Sequence, residues 1–149
     1  NAEKSTSEFY AGMIAGKNNG IIKYCSVDSD GSSTNGAPDY GLFLVVNNQT
    51  KNRNIYAYAG GIAGANNYIV VGCTVANSHI SASSTHDFGG DATNTNKNNV
   101  YVGGICGYSS YAIGYSVVKN STKFDGWSNV NIICNIPCGC NWFIIIESV

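Results

Sequence analysis

Phe9-Tyr10-Ala11-Gly12-Met13-Ile14-Ala15-Gly16 returns as Ala57-Tyr58-Ala59-Gly60-Gly61-Ile62-Ala63-Gly64, and again as Val100-Tyr101-Val102-Gly103-Gly104-Ile105-Cys106-Gly107. The copies are spaced 48 residues (Gly16 to Gly64) and then 43 (Gly64 to Gly107). Self-similarity at such a period marks a stacked repeat, in which one copy cannot bury its apolar face alone. The residues C-terminal to each octapeptide repeat too. Lys17-Asn18-Asn19-Gly20 leads into Ile21-Ile22-Lys23-Tyr24-Cys25-Ser26-Val27, and Ala65-Asn66-Asn67-Tyr68 into Ile69-Val70-Val71-Gly72-Cys73-Thr74-Val75. The third copy runs Tyr108-Ser109-Ser110, then Tyr111-Ala112-Ile113-Gly114-Tyr115-Ser116-Val117. It reads as one residue shorter, with Tyr115 standing where the first two copies have cysteine.

Each copy reads as strands, because Tyr, Val and Ile dominate and turn residues separate them. No stretch shows the apolar spacing of a helix. A glycine in a helix interior costs about 1 kcal/mol relative to alanine, so paired glycines argue against helix again. A glycine at the same place in every strand implies close approach of a neighbouring backbone. A further strand per copy is expected at Tyr40 to Val46, Ser78 to Ser83 and Val130 to Ile136, with the polar joins between strands projecting as side loops. The expected fold is an all-β parallel β-solenoid of about three coils with long side loops. Ile14, Ile62 and Ile105 would form one interior column, and Val27, Val75 and Val117 another. An antiparallel β-sandwich is the alternative. The whole chain, 1–149, reads as a single repeat domain: repeat 1 about 7–54, repeat 2 about 55–97, repeat 3 about 98–136, and a C-terminal strand or cap at 137–149.

Composition narrows the function. Eight Lys+Arg against nine Asp+Glu leave a net charge of -1, and only 11% of residues are charged. That balance argues against electrostatic capture of nucleic acid. The longest wholly apolar runs, Leu42 to Val46 and Trp142 to Ile146, are five residues each, far short of a bilayer span. The chain opens on Asn1 with no visible secretion signal, so it reads as a processed chain or a segment of a larger one. Six cysteines, at positions 25, 73, 106, 134, 138 and 140, fit an oxidising setting. The sequons Asn48-Gln49-Thr50 and Asn120-Ser121-Thr122 point the same way, with Asn48 and Asn120 as candidate N-glycosylation sites. The expected location is extracellular or at a cell surface.

Cys25 and Cys73 hold equivalent repeat positions. If one repeat is one coil, they lie about 4.8 Å apart, within reach of a disulfide. A buried ladder of free thiols is the other reading. Cys106, Cys134, Cys138 and Cys140 are candidates for further disulfides; three clustered cysteines without a histidine do not make a metal site. His79 and His86 lack the partners of a nucleophile site, and Asp28-Ser29-Asp30-Gly31 lacks the rest of a calcium loop. No catalytic residue, metal or cofactor is expected, and the chain is not read as an enzyme. Tyr10, Tyr58 and Tyr101 form either a binding stripe for glycan or protein or a stabilising cross-strand stack. Trp142, Phe143, Ile144, Ile145 and Ile146 form a strongly apolar strand that caps the core or adds to a neighbour's open edge, with a lean towards the neighbour.

The Gly-Gly-Ile-x-Gly core, an Asn-containing turn, then Ile and Cys resembles the GLUG motif. Gly60 to Gly64 and Gly103 to Gly107 match most closely, while Met13 replaces the second glycine in the first copy. Cys25 and Cys73 match the motif cysteine. The matching blocks cover about a third of the chain. The resemblance implies a β-solenoid scaffold in large surface or secreted microbial proteins, including adhesins, and no active residue. The expected function is an extracellular structural or adhesive unit of a stalk, surface protein or self-assembling filament. Its partners would be other copies of itself, the rest of a longer surface protein, or glycans. The alternative is a glycan-binding or glycan-cleaving protein of similar fold.

Overall fold

The computed structural model describes residues 5–29, 41–48, 53–86, 98–119, 123–128, 131–134 and 146–147. The first coil holds β1 (Ser5–Gly12), β2 (Ala15–Asn18), β3 (Ile21–Lys23), β4 (Ser26–Asp28) and β5 (Gly41–Asn48). The second holds β6 (Arg53–Gly60), β7 (Ala63–Asn66), β8 (Ile69–Val71), β9 (Thr74–Ala76) and β10 (His79–His86). The third holds β11 (Asn98–Gly103), β12 (Cys106–Ser109), β13 (Ile113–Gly114), β14 (Val117–Lys119) and β15 (Lys123–Ser128). Two strands come after these, β16 (Asn131–Cys134) and β17 (Ile146–Glu147).

Each strand pairs in parallel with its equivalent one coil away, giving five sheets: β1-β6-β11-β16, β2-β7-β12, β3-β8-β13, β4-β9-β14-β17 and β5-β10-β15. The chain is thus a parallel β-solenoid in which one repeat is one coil. Pairing in parallel rules out the antiparallel sandwich. The register matches the repeat: Tyr10, Tyr58 and Tyr101 are opposite one another, as are Gly12, Gly60 and Gly103. The core runs through the middle coil, where Ile55, Ala57, Ala59, Ile62, Val70, Val75 and Ile80 are buried.

The isoleucine column exists, but its first member is not buried. Ile14 N–H donates to Ile62 O at 3.1 Å and Ile62 N–H to Ile105 O at 2.8 Å. Ile62 and Ile105 are 0% and 1% exposed, whereas Ile14 is 47% exposed, because no described coil lies above it. The valine column also needs correcting: Val75 pairs with Val27 and with Val118, not Val117. The reason is a corner held at positive φ in every coil, at Tyr24 (55°), Gly72 (63°) and Tyr115 (49°). These three are therefore equivalents, the third copy is not shortened before this point, and Ser116 takes the cysteine position. A left-handed corner is natural for Gly72 and costs a non-glycine residue roughly 1–2 kcal/mol.

The third coil's last strand is Lys123–Ser128, which pairs with β10, rather than the segment from Val130 to Ile136. Asn131–Cys134 instead pairs with β11 and begins a fourth layer. Ile146–Glu147 pairs with Val118–Lys119 of the same chain. Ile146 thus adds to its own stack, against the lean towards a neighbouring subunit. Trp142, Phe143, Ile144, Ile145, Cys138, Cys140 and Asn120 lie outside the described residues, as does most of the polar side loops. Cys134 and Asn48 are described only as the backbone ends of β16 and β5.

The repeated last glycine of the octapeptide is required by close packing of β7 on the preceding strands. A Cβ on Gly64 would come within 2.5 Å of Ala11 N and 2.7 Å of Gly16 O and Tyr58 O. All three are backbone atoms, so no rotamer change relieves the clash. Gly64→Ala is expected to destabilise the fold by about 2–3 kcal/mol, measured as a fall in denaturant midpoint; an unchanged midpoint would contradict the packing.

Candidate functional site: an open coil edge and a tyrosine column

The first coil is the outermost member of every sheet, so β1 to β5 each have a described partner on one side only. The interior positions of this coil are correspondingly uncovered. Phe9, which pairs with the buried Ala57, is 39% exposed. Ile22, Val27, Leu42 and Leu44 are only partly buried, although their second-coil partners Val70, Val75, Ile80 and Ala82 are at most 1% exposed. An apolar row with unpaired strand edges is a template for adding another layer.

A polar ladder runs along the same axis. Asn18 Nδ2 donates to Asn66 Oδ1 at 2.7 Å, and Asn66 Nδ2 donates to Ser109 Oγ at 3.0 Å. Each side chain also serves its own turn: Gly20 N–H donates to Asn18 Oδ1, Asn66 Nδ2 to Tyr68 O and Ser109 Oγ to Tyr111 O. Asn66 Oδ1 therefore accepts from the coil above as well as from Tyr68 N–H, at 3.4 Å. Asn18 Oδ1 accepts the equivalent turn bond but has no described coil above it. A second ladder runs beside the first, with Asn67 Nδ2 donating to Asn19 Oδ1 and Ser110 Oγ to Asn67 Oδ1. These bonds explain the Asn-rich turns: an amide both donates and accepts, so it closes its turn and reaches the next coil.

On the outer side of the first sheet the tyrosines stack. Tyr10 and Tyr58 have ring centroids 5.2 Å apart at 11°, and Tyr58 and Tyr101 are 4.8 Å apart at 17°. Lys17 Nζ lies 4.9 Å over the Tyr10 ring, and Tyr10 OH donates to the Glu8 carboxylate. The rings cover each other's faces, and Lys17 stands over the end of the row. The column is therefore built more as a cross-strand stack than as a platform for a sugar face. More exposed rings stand at the corners: Tyr24 is 78% and Tyr115 72% exposed, on either side of Gly72.

The remaining candidates are quieter. Cys25, Cys73 and Cys106 are free thiols, with Cys25 partly exposed and the other two buried. Burial pushes the Cys106 thiol up to about 12 and raises Cys73 as well. Such buried thiols are poor nucleophiles. The His79 ring packs edge-on to Phe43 at 5.0 Å. Among the described residues no three His, Cys, Asp or Glu cluster as metal ligands, and no helix is long and apolar enough to cross a membrane. The sequence reading missed Ser116 as the third member of the cysteine row, where Ser116 Oγ accepts from Cys73 N–H at 3.1 Å. The equal spacing from Gly16, Gly64 and Gly107 to the corner residue was the available signal.

Comparison with family models, curated proteins and solved structures finds no match to this chain.

Asn66→Ala strips bonds from both neighbouring coils and leaves the Asn18 amide short of a partner, at an expected cost of about 2–4 kcal/mol in thermal or chemical unfolding. In the column, burial raises Tyr10 to about 12, helped by the hydrogen bond to Glu8 and its charge, and raises Tyr58 and Tyr101 as well. The folded state holds these phenol protons longer than the unfolded chain. The resulting stability is full below about pH 10, the unfolded tyrosine value, and is lost as pH climbs towards the folded values. Tyrosinate absorbance should therefore show a late-titrating group of tyrosines whose ionisation coincides with loss of β structure. Uniform titration of all tyrosines near pH 10 would contradict the stack.

Proposed function

We propose that this chain is a structural segment of an extracellular stalk, surface protein or filament, working by stacking rather than by catalysis. The observation that carries this reading is the open first coil. Among the described residues its strands are paired on one side only, its interior positions are less covered than their second-coil equivalents, and its asparagine ladder stops at an acceptor. A further coil of the same kind satisfies all three at once. It comes either from a longer chain or from another copy. The low charge, the even number of cysteines, the two sequons and the likeness to GLUG repeats support an extracellular setting. A glycan-binding reading has one specific support, the exposed corner rings of Tyr24 and Tyr115.

The test is sedimentation velocity of the full chain over a range of concentrations, with Ile14→Asp as the comparison. Ile14 is nearly half exposed, so a charge there should leave the protomer folded by circular dichroism. Wild type is expected to associate and the variant to sediment as a monomer. Equal association of both would place the contact elsewhere. A wild type that stays monomeric throughout would remove self-assembly and leave a longer chain as the source of the cover. Retention of Tyr24 and Tyr115-dependent binding on a glycan array would favour the second reading.

A further inference from the structure

The corner between the third and fourth sheets brings Cys25 and Cys73 onto adjacent coils. Thr74 N–H donates to Cys25 O at 2.9 Å, and Tyr24 N–H donates to Val71 O at 3.0 Å, so the two cysteines are neighbours across a parallel ladder. Equivalent residues on such strands stand about 4.8 Å apart, inside the roughly 4.4–6.8 Å Cα range of disulfides. Their side chains are set alike: Cys25 Sγ faces Lys23 O at 3.6 Å and Cys73 Sγ faces Val71 O at 3.5 Å, each the carbonyl two residues back. Among the described residues the row ends at Ser116, so it holds one thiol pair and no third sulfur. Cys106 belongs to another column, where its register partner is Ala63.

We propose that Cys25 and Cys73 are an oxidation site that forms one inter-coil disulfide and fastens the open first coil to the second. The oxidant is a small-molecule disulfide. The partly exposed Cys25 meets it first: its thiolate attacks one sulfur, forms a mixed disulfide and releases one small thiolate. The Cys73 thiol gives its proton to solvent, and its sulfur then attacks Cys25 Sγ and releases the second small thiolate. The two released thiolates take up the two protons. Two electrons pass from the cysteine pair to the oxidant, whose S–S bond is broken as the protein's is formed. Burial of Cys73 disfavours its thiolate, so closure of the bridge quickens as pH rises. The site has a purpose in a stack. A terminal coil has a neighbour on one side only and opens first. A bond across the 48-residue separation removes that opening from the accessible states.

The experiment is a disulfide map of the full-length chain after full reduction, then treatment with oxidised glutathione and blocking of the remaining thiols. Trypsin places Cys25 in peptide 24–51, Cys73 in peptide 54–97 and Cys106 in peptide 98–119, so the three are read separately. The expected result is a linked pair of peptides 24–51 and 54–97, lighter by two hydrogen atoms than the reduced pair and split by reductant. Oxidised wild type should also melt roughly 5–10 °C higher than reduced wild type. Cys25→Ser and Cys73→Ser should each lose both the linked peptides and the gain. The map needs only wild type, so a poorly folding variant does not spoil the test. A map in which Cys25 stays blockable, stops at a glutathione adduct, or pairs with peptide 98–119 or 124–149 overturns the proposal. So does a Cys73 to Cys106 link.

Discussion

In-register parallel pairing between coils is the constraint on which the rest of this structure depends. Because each strand meets its own equivalent one layer away, every side chain is packed on the residue holding its position in the next repeat. Like therefore lies on like: Tyr10 on Tyr58 on Tyr101, Ile62 on Ile105, Asn18 on Asn66. This arrangement rewards residues that tolerate their own kind as neighbours. Aromatic rings stack, branched aliphatics fill a column, and amides pass hydrogen bonds along a row. It penalises charge, since a repeated lysine or glutamate would face itself at the strand spacing. The low charge of the chain follows from the same cause.

The two polar ladders run in opposite senses. In the Asn18–Asn66–Ser109 row the amides donate towards the later coil, and in the Asn19–Asn67–Ser110 row the donors point towards the earlier one. Layers therefore add through defined donors and acceptors as well as through apolar contact. At the start of the stack that pattern is interrupted at Asn18, beside the uncovered Phe9 and Ile14. At the other end Ile146–Glu147 returns to pair with β14, so the two ends of the stack are not alike. Among the described residues the first coil is open and the third is partly covered by its own chain, and the proposed place within a longer stack rests on that difference.

The tightness of the layers has a cost that appears at two kinds of residue. Gly64 has no room for a side chain because backbone atoms of three strands surround it. Tyr24 and Tyr115 accept a left-handed corner that Gly72 adopts freely. The first arises from the close approach of neighbouring strands, and the second because the turn between sheets takes the same left-handed form in every coil. Variation in chain length falls in the polar joins between repeats.

The repeated octapeptide made a stacked solenoid the expected fold, because a residue pattern recurring in the same order can share a core by stacking; the parallel pairing, the coil of one repeat and the outward side of the tyrosine row come from the structure. The strands at Tyr40 to Val46 and Ser78 to Ser83 were also legible from their composition. The register of the third copy was also within reach of the sequence: equal spacing from Gly16, Gly64 and Gly107 places Ser116 in the cysteine row and Val118 in the valine column, as the pairing shows. Two further things were decided only by the tertiary structure. Asn131–Cys134 belongs to a fourth layer, since the strand before it, Lys123–Ser128, already fills the third coil's last place. Ile14 is uncovered although its two equivalents are buried. Sequence equivalence specifies which residues share a column, but burial depends on whether another layer lies on both sides.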